Sequence, residues 1–157
     1  MRRTFRRRRK EQKTDYRARL ALLKSRKPRL VIRKTNRGII VQIAESEGAQ
    51  DKVVFHITSK DLIARGWPKE SEGSLKSLPA AYLTGFLAAK KAKEKIKEAI
   101  LDIGLQRNIP KSRIYAVLKG AVDAGLKVPH NPDVFPTEEM FKKHKLNKLM
   151  EGIKHKL

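Results

Sequence analysis

Two kinds of apolar spacing run along the chain, and they predict its elements. Residues 29–34, RLVIRK, and 39–45, IIVQIAE, are β-branched runs separated by Thr35, Asn36, Arg37 and Gly38. Asn and Gly in so short a gap between strand-like runs predict an antiparallel hairpin. A third run, KVVFHI at 52–57, follows a polar loop containing Gly48, so the three strands form a predicted meander. Upstream, Tyr16, Leu20 and Leu23 recur at near-helical spacing within 11–25, which predicts a short amphipathic helix ended by Pro28. Residues 58–74 read as loop, with a short helix from Ser59 to Arg65 that Ser59 is placed to cap.

From Pro79 the period lengthens. Tyr82, Phe86, Ala89, Ile96 and Ile100 fall near one helical face, and KKAKEKIKE at 90–98 is charged and helix-favouring, so a long helix is predicted to end near Ala99. AILDIGL at 99–105 reads as a short buried strand. Ser112 is placed to cap a second helix with the apolar face Ile114, Val117, Leu118, Ala121 and Val122; Gly125 closes it and Pro129 prevents its resumption. PHNPDVFP at 129–136 is a proline-rich turn, and from Thr137 onward the chain reads as a basic helix with Met140, Phe141 and Leu149 as docking residues. A fourth strand reached across a helix pairs parallel to one of the first three. The predicted class is therefore α/β (α+β): a mixed sheet of an antiparallel three-stranded meander plus a further strand, with helices packed on it. The expected divisions are a basic arm over 1–13, one domain over 14–136 and a basic extension over 137–157.

Charge changes the picture more than composition does. The chain has 157 residues, 38 Lys or Arg against 16 Asp or Glu, and a formal net charge of +22. Residues 1–37 hold 17 of those cations against Glu11 and Asp15, a net +15; the other 120 residues hold 21 against 14, a net +7. The opening MRRTFRRRRK repels itself and is expected to stay disordered until a partner neutralises it. A polyanion is the natural partner, and the planar forks of the arginines suit phosphates and base faces. The chain has no cysteine, which excludes a disulfide framework, a thiolate zinc site and a cysteine nucleophile. It has no apolar run of membrane-spanning length, and its basic start is not followed by the apolar segment of a secretory signal.

Catalytic chemistry finds little support. His56, His130, His144 and His155 show no zinc-protease spacing, and no phosphate-loop motif is present. GAVDAG at 120–125 superficially resembles a glycine-rich loop but lies inside a helical pattern. A metal-dependent nuclease would need Glu45, Asp102 and Asp123 to converge, because two catalytic metals lie about 4 Å apart; strand ends and a helix surface explain these residues more simply. No cofactor, metal or small-molecule substrate is implied.

RNA contact is the stronger expectation. Arg33, Lys34, Thr35, Asn36 and Arg37 put cations, a hydroxyl and an amide on a predicted hairpin tip, and Lys24, Ser25, Arg26, Lys27 and Arg29 form a second concentration beside it. Tyr16 is either a base-stacking ring or a hydrophobic seat on the domain. Lys119 with Gly120, and His130 with Asn131, are weaker candidates for the phosphate backbone. The rival class is a basic protein that coats RNA without choosing.

These residues also carry a family likeness. LLKSRKPRLVIRKTNRGIIVQI (22–43), LPAAYLTGFLAAKKA (78–92), AILDIGL (99–105) and AVLKGAVDAGLKVPHNPDVFP (116–136) resemble, in order, the large-subunit ribosomal protein eighteen family in its archaeal and eukaryotic branch. The resemblance covers about residues 14–140. It implies a cytoplasmic, ribosome-bound protein that binds 5S rRNA, docks it onto 23S rRNA and touches neighbouring large-subunit proteins. By the same resemblance Tyr16, Arg19, Lys24, Ser25, Arg29 and the tip from Arg33 to Arg37 are implied RNA contacts, and Arg17 and Lys27 join them as candidates on their charge. Arg2, Arg3, Arg6, Arg7, Arg8, Arg9 and Lys10 correspond in kind to that family's N-terminal arm. The stretch after Thr137 matches poorly, and relatives are expected to continue beyond Leu157. The LDIG and DAGL blocks, small and apolar, are expected to be fold determinants.

Overall fold

The computed structural model describes residues 7–47 and 50–156. Its helices are α1 (Arg7–Lys10), α2 (Tyr16–Lys24), α3 (Leu78–Ala92), α4 (Arg113–Asp123), α5 (Glu138–Lys142) and α6 (Asn147–Lys156). Its strands are β1 (Arg29–Lys34), β2 (Ile39–Glu47), β3 (Gln50–Thr58) and β4 (Ile100–Asp102). The sheet order is β3-β2-β1-β4, with β1 antiparallel to β2, β2 antiparallel to β3, and β4 parallel to β1. This is the mixed sheet expected: three antiparallel strands and a fourth, parallel one reached through α3.

The period of two decides which side of the sheet each residue serves. Leu30, Ile32, Ile39, Val41, Ile43 and Ile57 enter the apolar core together with side chains of α3 and α4. Arg29, Val31 and Arg33 alternate with the core residues of β1 and so face the opposite side. In the parallel register Val31 lies beside Asp102 and Leu30 beside Leu101, so Asp102 joins the arginines on that side.

Arg29 is 3% exposed there and donates to Asp102 Oδ2 at 3.0 Å through one terminal nitrogen; the other lies 2.8 Å from Asp51 and donates to Ser46 Oγ at 3.1 Å. Arg33 donates to Asp102 Oδ1 at 2.9 Å and to its carbonyl oxygen at 2.7 Å. Arg19, from α2, closes the chain on Asp51 at 2.6 Å. One connected cluster therefore ties β1, β3, β4 and α2. Burial raises the pKa of Asp51, but hydrogen bonds from Ser46, Arg29 and Arg19 outweigh it and hold the carboxyl below its ordinary value.

On the core side, α3 and α4 touch through their backbones. A Cβ on Gly85 would lie 2.0 Å from the carbonyl oxygen of Val117, and one on Gly120 would lie 2.1 Å from that of Tyr82. The reciprocal glycines let the two helices approach at one crossing. Gly120 is thus part of a helix contact and not the phosphate contact that it was a candidate for. Gly125, at φ 102°, ends α4 where predicted.

Several expectations are corrected. Part of the arm thought to be disordered, Arg7–Lys10, is one turn of helix, with Arg7 3.8 Å from Glu11. In α2 Leu20 is 57% exposed, and the more covered positions are Tyr16, Arg19, Leu22 and Leu23. Ser59 does not cap the 3-10 helix Ser59–Arg65: Thr58 occupies that position and donates its N–H to Asp61, while the buried Ser59 hydroxyl accepts from the N–H of Ile39. Ser112 is the N-cap residue of α4, but its hydroxyl makes no capping bond.

Helix α3 stops at Ala92 instead of Ala99. Beyond it the chain turns so that Ile96 and Ala99 plug the core, and Lys127 and Pro28 receive its backbone hydrogen bonds. That closure overrides the helix propensity of the Lys and Glu run. β4 is shorter than predicted because Gly104, at φ 61°, turns the chain and donates its N–H to Asp102. The C-terminal stretch is two helices, and its docking side chains are Phe141, Met150 and Ile153, while Met140 is 39% exposed.

These contacts predict the outcome of urea titrations. Gly85→Ala or Gly120→Ala is expected to destabilise the protein by roughly 1–3 kcal/mol, because overpacking against a rigid backbone outweighs alanine's helix preference. Gly152→Ala, on α6 with open space around it, is expected to stabilise by about 0.5–1 kcal/mol in the same urea titrations. For the ion cluster, Asp102→Ala should cost about 3–5 kcal/mol by leaving Arg29 buried beside a lost partner. The depressed pKa of Asp51 means its contribution is complete above about pH 4 and is lost as pH falls through the lower folded-state value. Asp51→Asn should flatten that acid limb of the stability curve, as measured by denaturation at stepped pH.

Candidate nucleic-acid interface

The hairpin between β1 and β2 presents Lys34, Thr35, Asn36 and Arg37, all exposed. Thr35 rigidifies the tip: its N–H donates to the carbonyl of Gly38 at 2.8 Å, its hydroxyl donates to that carbonyl at 2.9 Å, and the hydroxyl accepts from the Gly38 N–H at 3.0 Å. Asn36 and Arg37 are left pointing from a fixed turn. The four residues carry two cations, and no described carboxylate forms an ion pair with either. Such a tip has donors, positive charge and fixed geometry, which is what recognition of a folded polyanion requires.

The other sequence candidates divide into outward and inward groups. Arg17 and Lys24 are exposed on α2, whose N-terminus is capped by Asp15 accepting from the N–H groups of Arg17 and Ala18. Ser25 is exposed and its hydroxyl donates to the carbonyl of Leu22 at 2.7 Å, so its role at the helix end is structural as well. Lys27 pairs with Glu98 at 2.9 Å, and that hydrogen bond holds the Glu98 carboxyl below its ordinary range. Tyr16 is half-buried. Arg19, Arg29 and Arg33 belong to the internal cluster; Arg29 has almost no exposed surface, and Arg33 is half-covered.

Arg7, Arg8 and Lys10 of α1 are exposed, and Arg8 lines an open groove of about 730 Å³ with Lys13, Arg19 and Arg33. Arg2, Arg3 and Arg6 lie outside the described residues, as does the side chain of Arg9. The weaker C-terminal candidates are not assembled for phosphate. Gly120 is enclosed by the α3–α4 contact, and the Lys119 ammonium sits 5.4 Å from the centre of the Phe141 ring, close to the carbonyl of Pro136. The His130 ring lies tilted against Phe135 with centroids 4.6 Å apart, and the Asn131 side chain caps the turn at Asp133.

The nuclease constellation does not form. Both Asp102 oxygens are engaged by arginines, Asp123 accepts from the Tyr82 hydroxyl at 2.7 Å, and Glu45 stands opposite Lys52 in the sheet. Burial and then the bond to Asp123 push the Tyr82 hydroxyl well above its ordinary pKa, so it remains a donor. Among the described residues no group of three or more His, Asp or Glu gathers to hold a metal, and no helix is long and apolar enough to cross a membrane. His56 bonds Gln42, and His144 accepts from the N–H of Leu146.

Sequence reasoning missed the segment between β4 and α4. It brings Arg107, Lys111 and Arg113 to the surface beside Lys34, joined to the hairpin by the Gln106 amide donating to the Lys34 carbonyl at 2.9 Å. A signal was present: no acidic residue occurs between Asp102 and Asp123.

The family model described as ribosomal large subunit proteins 60S L5 and 50S L18 matches residues 2–99 and 91–131. The match therefore includes the basic arm, which the block-by-block resemblance left out. A protein of Korarchaeum cryptofilum is 55% identical over 134 residues, covering 85% of this chain and 67% of its own. One of Methanoculleus marisnigri is 52% identical over 137 residues, covering 87% and 76%. One of Natronomonas pharaonis is 51% identical over 130 residues, covering 82% and 68%. All three bear the name large ribosomal subunit protein uL18. With both halves of the fold and the hairpin inside the matched segments, the chain belongs to the family of ribosomal large-subunit proteins 60S L5 and 50S L18.

Proposed function

We propose that this protein is a structural component of the large ribosomal subunit that binds 5S rRNA and helps attach it to 23S rRNA. Family membership supports the ribosomal role. The observation that carries the RNA assignment is the rigid hairpin tip, Lys34 to Arg37, exposed and unopposed by carboxylates. A tip held by three hydrogen bonds around Thr35 loses little entropy on docking, so it is suited to setting register.

The basic residues then divide by task. Arg7, Arg8 and Lys10, with the arginines before them, neutralise phosphates and release counterions, a contribution blind to sequence. Asn36 and Arg37 read local RNA shape from a fixed position, and the exposed Arg17 and Lys24 of α2 add phosphate contacts. Arg29 and Arg33 act from inside, positioning the hairpin through Asp102 rather than touching RNA with their full length. The role is assembly: the protein neutralises and orients, and no bond is made or broken.

The test is binding of the whole chain to 5S rRNA and to a structured RNA of equal length, titrated across salt. A preference for 5S rRNA that persists as salt rises supports the reading. Equal affinities that collapse together would leave a non-selective basic RNA-binding protein. In the same assay, Arg7→Gln with Arg8→Gln is expected to weaken both RNAs alike and to lower the salt slope by roughly 0.7–0.9 per lost phosphate contact. Asn36→Ala with Arg37→Ala should weaken 5S rRNA by about tenfold or more, at about 1.5–3 kcal/mol per charged hydrogen bond, and the control RNA by much less. Equal losses on both RNAs for both variants would sink the division of labour.

A further inference from the structure

A second basic concentration stands apart from the surface that the sequence pointed to. Arg107, Lys111 and Arg113, with Lys34 from the hairpin, line an open pocket of about 480 Å³. All four are exposed, and none forms an ion pair with a described residue. In a chain where Arg19, Lys27, Arg29 and Arg33 are matched to carboxylates, four neighbouring cations without one mark a surface shaped for an external anion.

The pocket wall is preorganised. The Gly104 N–H donates to Asp102, the Gln106 amide to the Lys34 carbonyl, the Tyr115 hydroxyl to Asn108, and the Lys111 N–H to the Val134 carbonyl. Lys111 is held at φ 59°, a conformation that lysine adopts rarely. Ile109, 54% exposed, stands among the cations as an apolar platform. At the pocket floor the Ser112 hydroxyl and the Gln106 side-chain oxygen are buried without a hydrogen-bond partner. Ser112 is also the N-cap of α4, so the positive end of an 11-residue helix opens on the same pocket.

We propose that this pocket is a second RNA-backbone site, continuous with the hairpin tip through Lys34. Arg107, Lys111, Arg113 and Lys34 hold phosphates, the Ser112 hydroxyl donates to a phosphate oxygen at the start of α4, and Ile109 packs on a ribose or base face. The site rests on the 5S rRNA reading and extends it from one hairpin to two adjoining segments. RNA is favoured over an acidic protein surface for two reasons. The cations ring a concave pocket at a helix N-terminus, which fits a phosphate better than a flat acidic patch. The pocket also shares a lysine with the hairpin already assigned to RNA.

The test compares the whole chain carrying Arg107→Gln and Arg113→Gln with a charge-matched control, Lys91→Gln and Lys97→Gln. The control lysines are exposed and absent from the pocket lining; Lys91 lies near the opposite end of α3, roughly 20 Å from Leu78 at the pocket rim, and Lys97 lies beyond that end. Affinity for 5S rRNA is measured across salt, with hydroxyl-radical footprinting of the RNA on wild type and both variants. The pocket variant is expected to lose about tenfold or more in affinity and about 1.5 in salt slope, two phosphate contacts at roughly 0.7–0.9 each. It should also lose a discrete set of protected nucleotides that the control variant retains. Should both variants behave alike in affinity and footprint, the pocket is not an RNA site and an acidic protein neighbour becomes its partner. If wild type itself shows no preference for 5S rRNA, the primary reading fails first, and the footprint on any RNA it does bind still decides the pocket.

Discussion

The fold turns on a short parallel strand held by charge. β4 has three residues, too few to secure its register through backbone hydrogen bonds alone. Asp102 supplies what length does not: one oxygen takes Arg29, the other takes Arg33 and the N–H of Gly104. Only one register of β4 on β1 brings that carboxylate beside Val31, between the two arginines. Burying an arginine is costly, and a buried ion pair adds little net stability over apolar packing. Its consequence here is geometric.

The surface inherits that geometry. Arg33 holds the base of the hairpin to the end of β4, and the segment leaving β4 returns through Gln106 to the Lys34 carbonyl. The hairpin tip and the loop before α4 therefore sit side by side although about seventy residues separate them in the chain. Through Asp51 and Arg19 the same cluster reaches α2, a nine-residue helix with no fully buried side chain of its own. A helix so poor in apolar contact takes its place largely from the charged tie and from its Asp15 cap. On the other side of the sheet, the Gly85 and Gly120 contact sets how closely α3 and α4 pack and hence where α4 begins. Core and surface are thus two readings of one arrangement: the helix crossing places the N-terminus of α4, and the ion cluster places the loop that leads to it.

The hairpin, the meander and the helix over 113–123 were legible because each is encoded by neighbours in the chain. Alternating β-branched residues, a Thr-Asn-Arg-Gly turn and a glycine after an apolar period of 3.6 all act over a few residues. The end of α3 was not legible. Its lysines and glutamates favour helix locally, yet Ile96 and Ala99 gain more by entering the core. Leu20 likewise satisfied a helical period but faces solvent, because a period records spacing and not which face of α2 meets the domain.

Basic residues were the hardest to sort, because a sequence gives charge without its partner. By itself the chain determined that a polyanion must balance its +22, that a hairpin with a polar, cationic tip would form, and that a parallel strand would join across a helix. These follow from composition and short-range periodicity. Only the tertiary structure decided which arginines face outward. Arg29 and Arg37 look alike on paper, but one lies inside against Asp51 and Asp102 and the other stands free on a turn. It also decided that Arg107 and Arg113 adjoin Lys34. The physical reason is that a charge is neutralised by whatever lies within a few ångströms in space, and a linear pattern carries no record of that distance until the sheet closes.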